Sequence, residues 1–339
     1  MAEYTIALDA MGGDHAPVEI VKGAVDAARE FGLKIALVGQ QDTVETELSK
    51  HGAVPPTISI VHAPEVVAMD EHPAQAARHK RNSSIVIGLR MVKQGEAAAF
   101  VSAGNTGAVM AAAIMYIGRI PGIERPALVA LMPTGGGVSM LLDIGANADC
   151  KPNYLLQFAH LGSAYMERVL GVANPRVAIL SIGEEETKGN QLVQETFPLL
   201  RNSGLNFIGA VEGKDLPRRV ADVIVTDGFT GNVAVKTMEG TAEFIGELIR
   251  DAIMSRWYYK LGGLLVQGAF SGLRRRLDWT EYGAGPLLGI NGLVFIAHGR
   301  SNARAIRSAL RTADVATRSG MMEALRASPV AAARSSRPS

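Results

Sequence analysis

The sequence predicts an α/β fold: a doubly wound, mostly parallel sheet in an α/β/α sandwich, with a protruding amphipathic helical hairpin. Three observations carry the prediction. Nine short runs of β-branched and aliphatic residues alternate with longer helical patterns, the arrangement of a mostly parallel sheet covered on both faces. Five of these runs end on glycines and small polar residues. Apolar residues across 235–277 recur at helical spacing.

The first run, YTIALD (4–9), ends on Asp9 and passes through AMGGDHAP, where Pro17 marks a helix start. Runs at 34–39, 58–62 and 98–102 follow, each preceded by a helical pattern. Runs 127–132 and 139–143 are joined by PTGGG, too short for a crossover, which predicts a local hairpin. Runs 176–182, 206–211 and 222–226 complete the set. In open α/β sheets the ligand cleft lies beyond the carboxyl ends of the strands. Five exits share one chemistry there: AMGGDHAP, SAGNTGA, IGAN, GEEETKGN and TDGFTGN. Two of them align, Ser102–Val109 with Thr226–Val233, each carrying two glycines three apart. They suit either backbone N–H clusters facing one anion or ordinary strand-to-helix turns.

Residues 1–318 read as one catalytic domain that includes the hairpin at 235–277. In the hairpin Val235, Met238, Ala242, Ile245, Ile249, Ala252, Ile253 and Trp257 form one stripe. Gly262 and Gly263 break it, Leu264 and Leu265 open an apolar tip, and Arg274, Arg275 and Arg276 close it. Such an element fits a dimer interface, a membrane contact, or both. Residues 328–339 are small and polar and read as a disordered tail.

Composition narrows the function. The net charge of +1 and 5% aromatic content argue against nucleic acid as a partner. Cys150 is the one cysteine, so an intrachain disulfide is impossible and a reducing compartment is expected. Asp149 beside it makes it a poor nucleophile. No signal peptide or membrane-length apolar run is visible, which leads to the expectation of a cytoplasmic protein. No Walker loop, G-x-G-x-x-G, H-E-x-x-H, paired C-x-x-C or G-x-S-x-G occurs. No metal or cofactor is expected.

Six motifs in order are LDAMGGDHAP, SAGNTGA, DIGAN, SIGEEETKGN, DGFTGN and EYGAGPLLGINGLVFIAHGRS. From about residue 4 to about residue 318 the chain resembles the acyl-acyl carrier protein:phosphate acyltransferases of bacterial phospholipid synthesis, the PlsX family. It departs from the family's Gly-Gly-Ala-Pro at Gly283-Ala284-Gly285-Pro286. The resemblance implies transfer of a long-chain acyl group from acyl carrier protein to inorganic phosphate. A membrane glycerol-3-phosphate acyltransferase then uses the acyl phosphate. It also implies a doubly wound sandwich related to phosphotransacetylases, a homodimer, and peripheral association with the inner face of the cell membrane.

Within that resemblance, catalytic roles are expected for His15, Asn105, Asn147, Lys188 and Asn232. Their amides and cation suit a phosphate nucleophile and a tetrahedral oxyanion. Substrate contacts are expected from Asp9, Gly12, Gly13, Ser102, Gly104, Thr106, Asp143, Asp227, Gly228, Thr230 and Gly231. Carboxylates repel phosphate, so Asp9, Asp143 and Asp227 fit capping and orientation best, and the asparagines also suit turn caps. Glu184, Glu185 and Glu186 read as a solvated loop holding Lys188. Leu264, Leu265 and Arg274 to Arg276 are expected to meet the partner or membrane. Arg300, Arg304, Arg307 and Arg311 fall on one helix face and offer a second docking surface for an acidic carrier protein. Two rivals stand beside this reading: a metal-dependent dehydrogenase of the isocitrate type, and a non-enzymatic scaffold that binds acyl carrier protein at the membrane.

Overall fold

The structure is a computed structural model and describes residues 4–262, 268 and 283–330. Among the described residues eleven strands form one sheet in the order β3-β2-β1-β4-β11-β10-β5-β6-β9-β7-β8. The nine expected runs are all strands: β1 (Thr5–Asp9), β2 (Lys34–Gly39), β3 (Ile58–His62), β4 (Ala99–Ser102), β5 (Ala127–Thr134), β6 (Gly137–Leu142), β7 (Val177–Ser181), β8 (Phe207–Glu212) and β9 (Val223–Val225). The expected β5–β6 hairpin is antiparallel. Two further strands, β10 (Ala284–Leu288) and β11 (Leu293–Ala297), form a second hairpin.

These two hairpins reverse the sheet. β11 runs parallel to β4, and β10 is antiparallel to both β11 and β5. β6, antiparallel to β5, leads a parallel group with β9, β7 and β8. The two parallel groups therefore point in opposite senses, and their strand exits open toward opposite ends of the sheet.

Helices cover both faces. One face carries α1 (Val18–Phe31), α6 (Pro152–Arg168), α7 (Gln191–Arg201), α9 (Ala303–Arg318) and α10 (Met321–Arg326) over one continuous core, running from Ile6 and Leu8 through Val129 and Leu142 to Val177 and Val223. On the opposite face the core is split. One cluster gathers Phe100, Val109, Leu128 and Val294 under α3 (Pro73–His79), α4 (Ser84–Gln94) and α5 (Thr106–Ala112). The other gathers Leu141, Ala178, Leu180 and Ile224 near the second edge. α2 (Gln41–Ser49) packs beside β3, and a π turn (Ala113–Ile117) continues α5.

α8 (Gly228–Met254) is the long expected helix, and residues 257–262 are helical after a break at 255–256. Val235 and Met238 are half-buried against the second cluster. Ile245, Ile249 and Trp257 of the same stripe are exposed, Trp257 at 72%. Leu264, Leu265 and Arg274 to Arg276 lie outside the described residues. At the chain end Ser328 is buried and Val330 packs on the core; residues 331–339 also lie outside. No helix among the described residues is long and apolar enough to cross a membrane.

Candidate active site

Asp9 ends β1 and is buried. Its carboxylate accepts hydrogen bonds from the Ser102 hydroxyl (2.7 Å) at the end of β4 and from the Met11 amide (3.1 Å). The Ser102 oxygen in turn accepts from the Gly104 amide at 3.0 Å. A Cβ on Gly12 would overlap the Asp9 carboxylate and lie 2.7 Å from the Gly104 nitrogen; only glycine lets the two exits close on each other. Burial pushes the Asp9 carboxyl up, and hydrogen bonds from Ser84, Ser102, Met11 and Gly12 oppose it. Asp9, Gly12, Gly13, Ser102 and Gly104 thus hold one another.

Asp143, after β6, is the counterpart in the second half. One carboxylate oxygen accepts from the amides of Leu128, Gly145 and Ala146, and the other from the backbone (2.6 Å) and side-chain (2.9 Å) nitrogens of Asn147. Burial again pushes the carboxyl up against these bonds. A Cβ on Gly231 would overlap the Asp143 carbonyl oxygen, and one on Gly228 would reach Asn147. The first turn of α8 is seated on this loop. Asp227 caps it, accepting from the Thr230 amide (2.8 Å) and hydroxyl (2.7 Å). Asp227 thus caps α8, and Asp9 and Asp143 hold their own loops.

Both aligned exits enter helices, but not at the same aligned position. α5 starts at Thr106 under the cap of Asn105, whereas α8 starts at Gly228, two positions earlier in the alignment. Chemical likeness of the two segments did not give equal geometry.

Between the two clusters of the split face lies a cleft of about 570 Å³. The central strands contribute Leu128, Ala130, Ala284 and Ile296 to its lining. Met69, Thr106, Gly107 and Met110 form one wall, and Asn232, Val235, Lys236 and Glu239 of α8 the other. Asp14 and His298 stand at its polar end. The cleft therefore lies across the sheet face, not beyond a common row of strand ends, because the hairpins reverse the strand sense beneath it.

Several expected residues take other places. Asn105 is buried; its side-chain nitrogen donates to the carbonyls of Met69 (3.1 Å) and Glu71 (3.0 Å), and its oxygen accepts from Ala108. These bonds tie it to the wall loop. Asn147 likewise donates to Pro126 (2.7 Å) and Asp143. Asn232 donates to the Ile144 carbonyl at 3.0 Å and lines the cleft, as Thr106 does. His15 is exposed and does not line it, although its neighbour Asp14 does. Lys188 is exposed on the exit of β7 and is not among the residues lining the cleft, and of the three glutamates beside it Glu186 pairs with Arg201. The expected basic helix face is not a free docking face: Arg307 of α9 pairs with Glu30 (2.8 Å) and Arg311 stacks on Phe31, while Arg300 precedes the helix, which starts at Ala303, and pairs with Glu243 (2.6 Å). Burial, reinforced by Asp143, pushes the Cys150 thiol up to about 12, which agrees with its dismissal as a nucleophile.

Lys236 and His298 were missed. The ammonium lies 3.0 Å from His298 Nε2, and Glu239 is 3.5 Å from the ammonium and 3.9 Å from the imidazole. The signal was present: LVFIA followed by HGRS repeats the strand-then-small-polar pattern of the other exits. Among the described residues no group of three or more His, Cys, Asp or Glu side chains could hold a metal ion.

The model of a family described as "Fatty acid synthesis protein" matches residues 4–324. The chain is 51% identical over 322 residues to the phosphate acyltransferase of Desulfitobacterium hafniense (strain DSM 10664 / DCB-2), covering 95% of this chain and 96% of that one. It is 54% identical to the phosphate acyltransferase of Heliobacterium modesticaldum, covering 91% and 92%. In fold it is similar to a phosphotransacetylase from Streptococcus pyogenes, with a TM-score of 0.63 at 18% identity over 94% of each chain. It is also similar to a putative 4-hydroxythreonine-4-phosphate dehydrogenase from Salmonella typhimurium, with a TM-score of 0.56 at 12% identity over 93% and 99%. With the match spanning almost the whole described chain and relatives at half identity or more, the chain belongs to the fatty acid synthesis protein family, as an enzyme of its phosphate acyltransferase group.

Proposed function

We propose that the chain transfers a long-chain acyl group from the thiol of acyl carrier protein to inorganic phosphate, and that this happens in the cleft between α5 and α8. The observation that carries the reading is the mixed lining of the cleft, in which apolar strand residues, Met69 and Met110 stand alongside Asn232, Lys236 and His298. An acyl thioester is apolar along its chain and polar at its reacting carbon.

The chemistry asks little of a general base. Inorganic phosphate, with a second pKa of about 6–7 by analogy with phosphoesters, supplies plentiful dianion at neutral pH. Its oxygen attacks the thioester carbon, the C–O bond forms, the oxyanion collapses, and the C–S bond breaks. The thiolate leaves and takes a proton from water. The protein's task is to place the two reactants together and to meet the developing oxyanion with donors. In this reading Asn232 and Thr106 face the reactants. Asp9, Asp143, Asn105 and Asn147 hold the loops that place them.

Exposed Ile245, Leu248 and Ile249 of α8, with Trp257 beyond its end, support a second copy of the chain as partner. The tip at Leu264 and Leu265 is proposed to meet the membrane, where the product passes to the glycerol-3-phosphate acyltransferase.

The test is to mix the purified chain with palmitoyl-acyl carrier protein, inorganic phosphate and chelator, and to trap acyl phosphate with hydroxylamine. Phosphate-dependent hydroxamate is the expected result. Product only with Mg²⁺ would return the aspartates to the chemistry, and no product in either condition would leave carrier-protein binding without catalysis.

A further inference from the structure

One face of α8 presents Asn232, Val235, Lys236 and Glu239 to the cleft, at the spacing of a single helical face. Among the described residues that line the cleft, Lys236 is the only lysine or arginine. Its surroundings are built from both halves of the sheet. α8 is seated on the Asp143 loop by Gly228 and Gly231, whereas His298 leaves β11 beside β4. The 3.0 Å contact between Lys236 Nζ and His298 Nε2 therefore joins the two halves at the polar end.

The sign of this contact matters. Burial, and then the positive charge of Lys236, hold the His298 imidazole below its ordinary range. With its proton on Nδ1, a neutral imidazole accepts from the ammonium and aims it without cancelling its charge, in exchange for the long 3.5 Å contact from the Arg300 amide to Nδ1. Glu239, at 3.5 Å, offsets part of that charge, and Asp14 adds a second carboxylate to the lining. A dianion entering this end meets two repelling groups, and Lys236 is the cation in the lining that attracts it.

We propose that Lys236 binds the incoming phosphate, between its ammonium and the Asn232 amide four residues earlier, and that His298 is a positioning residue that aims it. The proposal rests on the phosphate acyltransfer reading and names the nucleophile's subsite within it. An ammonium is a compact point charge with three donors, suited to a tetrahedral oxyanion ligand. Lys236 keeps its proton throughout: the phosphate oxygen supplies the electron pair of the new C–O bond, and the departing sulfur is protonated from water.

Steady-state kinetics with phosphate varied at saturating acyl donor test this in Lys236→Met, Lys236→Arg and His298→Gln. Losing one charge-assisted contact corresponds to about 10- to 100-fold. The expected result is a rise of that size in KM for phosphate in Lys236→Met, with KM for the acyl donor within about twofold. Lys236→Arg should recover part of it. His298→Gln should raise the phosphate KM by about fivefold with kcat changed less. An unchanged phosphate KM in Lys236→Met overturns the proposal. Calorimetric titration of the full chain with inorganic phosphate alone gives a readout that needs no turnover. Binding by the unaltered chain that is lost in Lys236→Met supports the subsite; equal binding by both, or none by the unaltered chain, overturns it. If the unaltered chain forms no acyl phosphate, it is the acyl-transfer reading that fails, and the titration alone decides Lys236.

Discussion

Asp9 and Asp143 each end a strand in one half of the sheet, each is buried, and each anchors a glycine-rich exit. They work with different partners. Asp9 is held in large part by hydroxyls, those of Ser102 and Ser84, whose protons can rotate. Asp143 is held by four backbone amides, which cannot reverse their role, and by the side-chain amide of Asn147, which Pro126 also fixes as a donor. The first half is tied by adaptable contacts and the second by fixed ones. In both, the strand-end carboxylate builds the exit, and the groups that reach the cleft come from farther along the chain.

The largest expected effect separates the halves by steric overlap. Gly231→Ala drives a methyl group into the Asp143 carbonyl oxygen, a backbone atom in a fully bonded loop. A loss of more than about 3 kcal/mol in denaturant-unfolding stability is expected. Gly12→Ala meets the Asp9 carboxylate and the Gly104 nitrogen and should cost about 2 kcal/mol. A larger loss for Gly12→Ala would reverse the assignment of the rigid half.

Charge removal sharpens the same contrast. Asp143→Asn points an amide nitrogen at the two Asn147 donors and should cost about 3 kcal/mol, whereas in Asp9→Asn the Ser102 hydroxyl can turn to accept, at about 1 kcal/mol. The pH dependence has a definite sign. Both carboxyls are raised in the folded state by burial, so their favourable contribution is full below the ordinary carboxylate range and is lost as pH rises through the raised folded values. The stability gap between the unaltered chain and either variant should therefore narrow from acidic toward neutral pH in parallel denaturation curves. A gap that widens would show that the carboxylates are stabilised as anions.

The smallest effects separate scaffold from cleft. Asn105→Ala removes a helix cap and the tether of the Met69 loop, and should lower stability by about 1 kcal/mol. Asn232→Ala, on an exposed helix face, should change stability by less than about 0.5 kcal/mol while reducing acyl phosphate formation. Equal stability losses would place Asn232 with the scaffold.

Much of this was legible in the sequence. Nine strands and the β5–β6 hairpin could be read because apolar, β-branched runs persist wherever a strand is buried on both faces. β10 could not. AGPLL carries a glycine and a proline that demote a strand by local preference, yet a Cβ on Gly285 would overlap the Val129 carbonyl, so close approach of β5 selects glycine there. Missing that hairpin hid the reversal of the sheet, and the reversal is what removes Lys188 from the cleft and brings in Lys236. For the aspartates, anion repulsion argued for capping and orientation, and their hydrogen bonds run to their own loops. The asparagines could not be sorted from sequence, since an amide that caps a turn and an amide that binds a substrate look alike until its partners are known.

The most direct test of the cleft as the reacting site is hydrogen exchange on the full chain, with and without phosphate and acylated carrier protein. Protection should rise at 103–110, 228–239 and 296–299, the segments that line the cleft, and stay unchanged at 182–190 around Lys188. Protection at 182–190 with none in the three cleft segments would contradict the account and move the chemistry to the exit of β7.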